Sequence, residues 1–142
     1  MYIYFLVLRI AAFFGHRKAK LLVRGQKEAI EQVKAYKQQH RWDKAVWFHA
    51  ASVGEFEQAR PIIERLRKER PNRTILLTFF SPSGYQLRKD CKEVDLVTYL
   101  PFATVHNAKA FIEAVEPAMA IFVKYEFWPA YLKELKKCGI AT

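Results

Sequence analysis

Residues 45–55 read Ala45-Val46-Trp47-Phe48-His49-Ala50-Ala51-Ser52-Val53-Gly54-Glu55. An apolar run, Val46–Ala51, meets a turn of small and polar residues and then an amphipathic stretch. Phe56, Ala59, Ile63 and Leu66 in that stretch recur at helical spacing. A short apolar run followed by a helical stripe is the signature of a buried parallel strand with its crossover helix. The unit repeats outward along the chain. Thr74–Phe80, Leu96–Leu100 and Met119–Val123 are further short runs, rich in β-branched or aromatic types. Ser83–Cys91 is read as a short helix. Ala108, Phe111, Ile112 and Val115 mark another, and Trp128, Tyr131, Leu132 and Leu135 a last one. Four βα units in series predict an α/β fold, a Rossmann-like open parallel sheet with right-handed crossovers.

Punctuation refines the reading. Pro129 suits the first turn of the last helix, where a missing N–H costs nothing. Pro61 lies inside the first stripe and should kink or restart that helix after Glu57. Gly139 reads as a helix cap, and Ile140-Ala141-Thr142 as the start of a fifth strand, so a piece of a longer protein is expected. Upstream, Lys27–His40 is a polar helix with Ile30, Val33 and Tyr36 on one face.

The charge is uneven. The 142 residues carry 24 Lys and Arg against 14 Asp and Glu, a net charge of +10. Residues 1–44 hold ten of those cations and three of the acids, +7 in all. A nucleic-acid-binding module would more often carry its basic stripe on the folded body, so that class is disfavoured. Ahead of the basic residues stands MYIYFLVLRIAAFF, residues 1–14, with Arg9 as its one charge. It is short of the ~20 apolar residues of a spanning helix. Its cations follow the apolar run, whereas a signal peptide has them before it. The expectation is a membrane anchor over residues 1–26, lying on or crossing the bilayer, with its basic flank against anionic lipid. A buried first helix is the other reading. Residues 27–142 would form the α/β domain.

Two cysteines, Cys91 and Cys138, are too few for a disulfide scaffold and fit a reducing compartment. No metal-ligand spacing, nucleotide-binding glycine loop or nucleophile elbow is present.

Ligands of open α/β sheets bind outside the carboxyl ends of the strands. Those ends offer Ser52 and Gly54 with Glu55, then Ser81, Ser83 and Gly84, and lastly Glu126 between Lys124 and Trp128. A carboxylate at Glu55 can take a proton from a hydroxyl as general base, or it can simply complement the helix dipole. Glu126, among aromatic residues, is either functional or a structural ion pair with Lys124 or His49. Ser81, Ser83 and Gly84 can cradle an anion or merely cap a helix. Spacing leaves all three choices open.

The blocks Trp47–Glu55, Thr78–Gly84, Tyr99–Phe102 and Lys124–Pro129 together resemble the Kdo (3-deoxy-D-manno-octulosonate) transferases of lipopolysaccharide synthesis. Their order and spacing are those of the acceptor-side half of that family, and the likeness covers nearly the whole chain. The resemblance implies a GT-B glycosyltransferase whose donor-binding domain is absent from this chain. It implies inverting transfer of Kdo from CMP-Kdo to the lipid A precursor lipid IVA, without a cofactor or metal, at the cytoplasmic face of the inner membrane. It makes Glu55 the base. It makes Ser52, Gly54, Ser81, Ser83, Gly84 and Glu126 substrate-site residues. Ala103 and Ala130 stand where the family often has Asp and Asn. By this reading the chain alone would not catalyse transfer. The alternative is a non-catalytic, membrane-associated Rossmann-like binding domain.

Overall fold

The computed structural model describes residues 17–124 and 126–142. The apolar run of residues 1–14, which carries the anchor expectation, lies outside them. Among the described residues no helix is long and apolar enough to cross a membrane.

The chain forms α1 (Arg17–Gln39), β1 (Ala45–Ala50), α2 (Val53–Glu69), β2 (Ile75–Phe79), α3 (Pro82–Arg88), β3 (Leu96–Tyr99), α4 (Val105–Val115), β4 (Pro117–Phe122) and α5 (Pro129–Lys137). All strand pairs are parallel, in the order β3-β2-β1-β4. Beyond β4, Met119 pairs with Ala141 as a parallel bridge, and Ala120 N–H donates to the Ala141 carbonyl at 2.9 Å. At the place where the sequence put the start of a fifth strand, the structure has this one parallel bridge.

Alternation along the strands explains the layers. Trp47, Leu76 and Ala120 turn to one face, where Ala29 and Val33 of α1, Phe111 and Val115 of α4 and Tyr131 and Leu135 of α5 cover them. Phe48, Ile75, Leu77 and Phe79 turn to the other, under Phe56, Ala59 and Ile63 of α2. Trp47 sits edge-on to Phe111, Phe122 and Tyr131, with ring centroids 5.3–5.7 Å apart. From β1 the chain winds one way across the sheet to β3; it then returns on the other face to β4. The gap between β1 and β4 is thus the topological switch point, where a crevice opens at the carboxyl ends.

Three details depart from expectation. Helix α2 runs unbroken through Pro61. Pro61 lies on the exposed face, where water can satisfy the Glu57 carbonyl left without its helical donor. Strand β4 starts at Pro117, before Met119, because a proline is tolerated as the first residue of a strand. Pro117 pairs with Ala45 and Met119 with Val46, so Ala118 is an extra residue in the ladder. Helix α1 extends upstream of Lys27 to at least Arg17. Gly25 makes that possible: the Tyr99 ring lies so close that a Cβ there would fall 2.2 Å from Cδ2.

The amino ends of the strands are tied by charge. Arg67 donates to the Glu93, Pro71 and Arg73 carbonyls and to Asp95 Oδ2 at 2.7–3.0 Å. The same Asp95 oxygen accepts Ile75 N–H at 2.7 Å. This leaves the opposite, carboxyl end for function.

Candidate functional site

The site begins where β1 stops. Ser52 is extended and caps α2, its Oγ accepting Glu55 N–H at 3.5 Å. The Glu55 side chain turns back, and its Oε2 accepts Ala51 N–H at 2.5 Å. Serine and glutamate therefore form a reciprocal cap, a capping-box arrangement displaced by one residue. Oε1 of Glu55 is not engaged in that cap. Gly54 beside it is exposed, and a Cβ there would meet nothing nearer than Ser52 Oγ at 4.0 Å, so the backbone is open to approach.

The end of β2 is laced to the end of β1. Ser81 N–H donates to the Ala51 carbonyl at 2.8 Å. Ser81 Oγ caps α3 by accepting Gly84 N–H at 3.4 Å. Gly84 has a packing reason of its own, because a Cβ would lie 2.6 Å from Phe79 Cδ1. Ser83 is exposed.

Glu126 arrives from β4. The chain leaves that strand through Lys124, whose φ is 57°, in the left-handed region. Glu126 then lies against β1. Its Oε2 accepts the Trp128 indole N–H at 2.7 Å and stands 3.4 Å from His49 Nε2. His49 and Trp128 hold the carboxyl below its ordinary value, against the opposing effect of burial. Of the two partners that the sequence offered, the one beside the carboxylate is His49.

Below Glu126 runs a polar thread that sequence reading left inside the core. His49 is wholly buried, and its Nδ1 lies 2.9 Å from Thr78 Oγ1. Trp47 Nε1–H donates to the same Oγ1 at 2.8 Å. His49 and Thr78 are register partners in the β1–β2 ladder. The signal was a histidine and a threonine, each placed late in an otherwise apolar strand. Trp128 also packs on Phe80, with centroids 5.4 Å apart, while Phe127 is 72% exposed at the rim.

Glu55 and Glu126 are therefore both placed at the carboxyl end of β1, Glu55 at Ala51 just beyond the strand and Glu126 beside His49. Ser81 joins that edge, and Ser83 and Gly84 lie one turn behind it. Among the described residues no group of three or more His, Cys, Asp or Glu is placed to hold a metal.

The sequence profile of the family described as "3-Deoxy-D-manno-octulosonic-acid transferase (kdotransferase)" matches residues 24–142. The chain belongs to the Kdo transferase family. Curated relatives agree. The 3-deoxy-D-manno-octulosonic acid transferase of Aquifex aeolicus (strain VF5) is 37% identical over 89 residues, covering 62% of this chain and 24% of the relative. The Haemophilus influenzae enzyme of the same name is 31% identical over 91 residues, covering 63% of this chain and 21% of the relative. That of Rickettsia bellii is 27% identical over 97% of this chain and 32% of the relative. The chain thus spans a third or less of these Kdo transferases. The family match begins at Arg24, one residue before the glycine that docks α1 onto Tyr99.

Proposed function

We propose that this chain is the acceptor-side half of a GT-B glycosyltransferase that moves Kdo from CMP-Kdo to lipid IVA. The observation that carries the reading is the position of Glu55: at the β1 end of the switch-point crevice, on a chain of the Kdo transferase family. Glu55 acts as general base. Its Oε2 is held by Ala51 N–H, which leaves Oε1 to take the proton of the acceptor's 6′-hydroxyl. As that O–H bond breaks, the oxygen bonds to the anomeric carbon of Kdo. The bond from that carbon to the CMP phosphate breaks on the opposite face, so the centre inverts. Ser52, Gly54, Ser81, Ser83, Gly84 and Glu126 line the acceptor side. The residues named need no metal or cofactor for this step. The donor is bound by a domain outside this chain.

The acceptor is a phosphorylated membrane lipid, and α1 suits its surroundings. Arg17, Lys20, Arg24 and Lys27 line an open groove of about 670 Å³ with Leu21, Val23 and Glu28, the last paired with Arg24. Such a face favours the anionic, cytoplasmic side of the inner membrane, with the apolar run of residues 1–14 as anchor and the start of α1 as its basic flank. A non-catalytic binding domain is the second reading, and the cap between Glu55 and Ala51 is the feature in its favour. The test is transfer by the complete protein supplied with CMP-Kdo and lipid IVA. Product heavier by Kdo is expected; its absence from active-folded, membrane-bound protein would overturn the reading.

A further inference from the structure

The buried thread beneath Glu126 has a direction. An indole N–H can only donate, so Thr78 Oγ1 is the acceptor of Trp47. The threonine has one proton to give. Given to His49 Nδ1 at 2.9 Å, it leaves the imidazole with its own hydrogen on Nε2. The other arrangement sends the threonine proton to the Phe48 carbonyl at 3.4 Å and makes Nδ1 a donor to Oγ1. Nε2 then faces the Glu126 carboxylate, and only an imidazolium, with hydrogen there too, escapes a clash of lone pairs. Both favourable states point an N–H at Glu126 Oε2. That oxygen already holds the Trp128 indole N–H.

The His49 to Glu126 separation of 3.4 Å is longer than an ordinary hydrogen bond, and Nε2 has no other partner among the described residues. A wholly buried N–H left unpaired is costly, so Glu126 is the group that favours keeping it there. The Trp128 indole bonded to Oε2 and the His49 ring facing the same oxygen restrain the rotation of the carboxyl. Among the described residues Oε1 has no partner, and the side chain is 19% exposed. The aromatic rings around it hold it in place: His49 is edge-on to both Phe122 and Trp128.

From this geometry we infer that His49 is a positioning residue for the acceptor. Through Nε2–H it orients Glu126, whose Oε1 accepts a hydrogen bond from a hydroxyl of the acceptor sugar. The inference rests on the transfer reading above, and it adds a residue that never touches substrate.

Two measurements on the complete enzyme test it. The first is kinetic, with lipid IVA and CMP-Kdo varied separately. His49→Phe keeps an aromatic ring but removes both nitrogens. It should raise the acceptor KM by about tenfold to a hundredfold, the cost of a misplaced binding group. The donor KM should stay within about twofold, since the proposed role of the ring is confined to the acceptor's contact with Glu126. His49→Gln, whose amide nitrogen can reach the place of Nε2, should recover most of the loss. An acceptor KM unchanged in His49→Phe, or an equal defect in both variants, overturns the proposal.

The second measurement needs no stable variant of the phenylalanine type. Proton–nitrogen correlation spectra of the imidazole rings, with His49 assigned by its loss in His49→Gln, should show Nε2 protonated. A neutral ring with its hydrogen on Nδ1 overturns the proposal. Native enzyme that transfers no Kdo at all would instead sink the functional reading, and the tautomer would still report on the link to Glu126.

Discussion

Replacing Gly25 by alanine pits two effects of opposite sign against each other. In a helix interior alanine is favoured over glycine by about 1 kcal/mol. On propensity alone, the variant should be more stable. The structure says otherwise. The new Cβ would stand 2.2 and 2.3 Å from Tyr99 Cδ2 and Cε2 and 3.0 Å from Cγ. Ordinary contact between carbon atoms is about 3.5–4.0 Å, so helix and strand must part by more than an ångström. Tyr99 cannot easily yield. It is buried on β3 and its ring lies against Tyr85, with centroids 4.4 Å apart. Overpacking of this kind costs typically about 1–3 kcal/mol, and so severe a clash belongs at the upper end. The net is a loss of about 2 kcal/mol. At roughly 4 °C per kcal/mol for a chain of this size, Tm should fall by about 8 °C. Thermal unfolding followed by far-ultraviolet circular dichroism reads this directly. In a Tyr99→Ala background the sign should reverse, because the ring atoms that the new Cβ meets are gone and propensity remains. A Gly25→Ala variant with an unchanged or higher Tm would refute the docking of α1 on the sheet edge.

Two further predictions follow from charge. Glu126 has its folded pKa held below the ordinary value of 4.5, so it stabilises the fold above that value and loses the contribution as pH falls through the folded one. Glu126→Gln should therefore cost stability near neutrality and converge with the native protein in acid, as measured by denaturant melts across pH. Cys91 is half-buried, its thiol donates to Glu93 at 3.0 Å, and burial first and that partner second push its pKa up to about 11. Alkylation at mildly alkaline pH should reach the exposed Cys138 well before Cys91, as peptide mapping would show.

The strands were legible because each is a short apolar run bounded by turn residues, and a parallel sheet buries both faces of its strands. Pro129 and Gly139 marked the ends of the last helix, and both sit where their backbone chemistry places them. What escaped was set by tertiary contact. The charges around Gly25 hide the first turns of α1, and only the Tyr99 ring explains why glycine is there. Pro61 looked like a break because its burial was unknown. The last strand was expected only from Met119 onward, because the pairing of Pro117 with Ala45 could not be read from the sequence.

The site divides in the same way. Strand ends pointed to Glu55, Ser81 and Glu126 because a parallel sheet gathers its loops at one edge. The reciprocal cap was also readable in principle, as a serine three residues before a glutamate. The thread from Trp47 through Thr78 and His49 was not. Its members lie on neighbouring strands, and only the register of β1 against β2 brings them together. His49 was one of the two partners offered to Glu126, and that register is what adds Thr78 beneath it.

The central claim is the role of Glu55, and one substitution tests it most directly. In the complete enzyme, Glu55→Gln keeps an oxygen that can accept Ala51 N–H while it removes the base. Transfer of Kdo to lipid IVA is measured in a single turnover with saturating substrates, alongside CMP-Kdo binding and Tm. Loss of a general base should slow the chemical step by about 10²–10⁴-fold, with donor affinity and stability close to native. A Glu55→Gln enzyme that transfers at near-native rate would contradict the account, and leave Glu55 as the cap of α2 and nothing more.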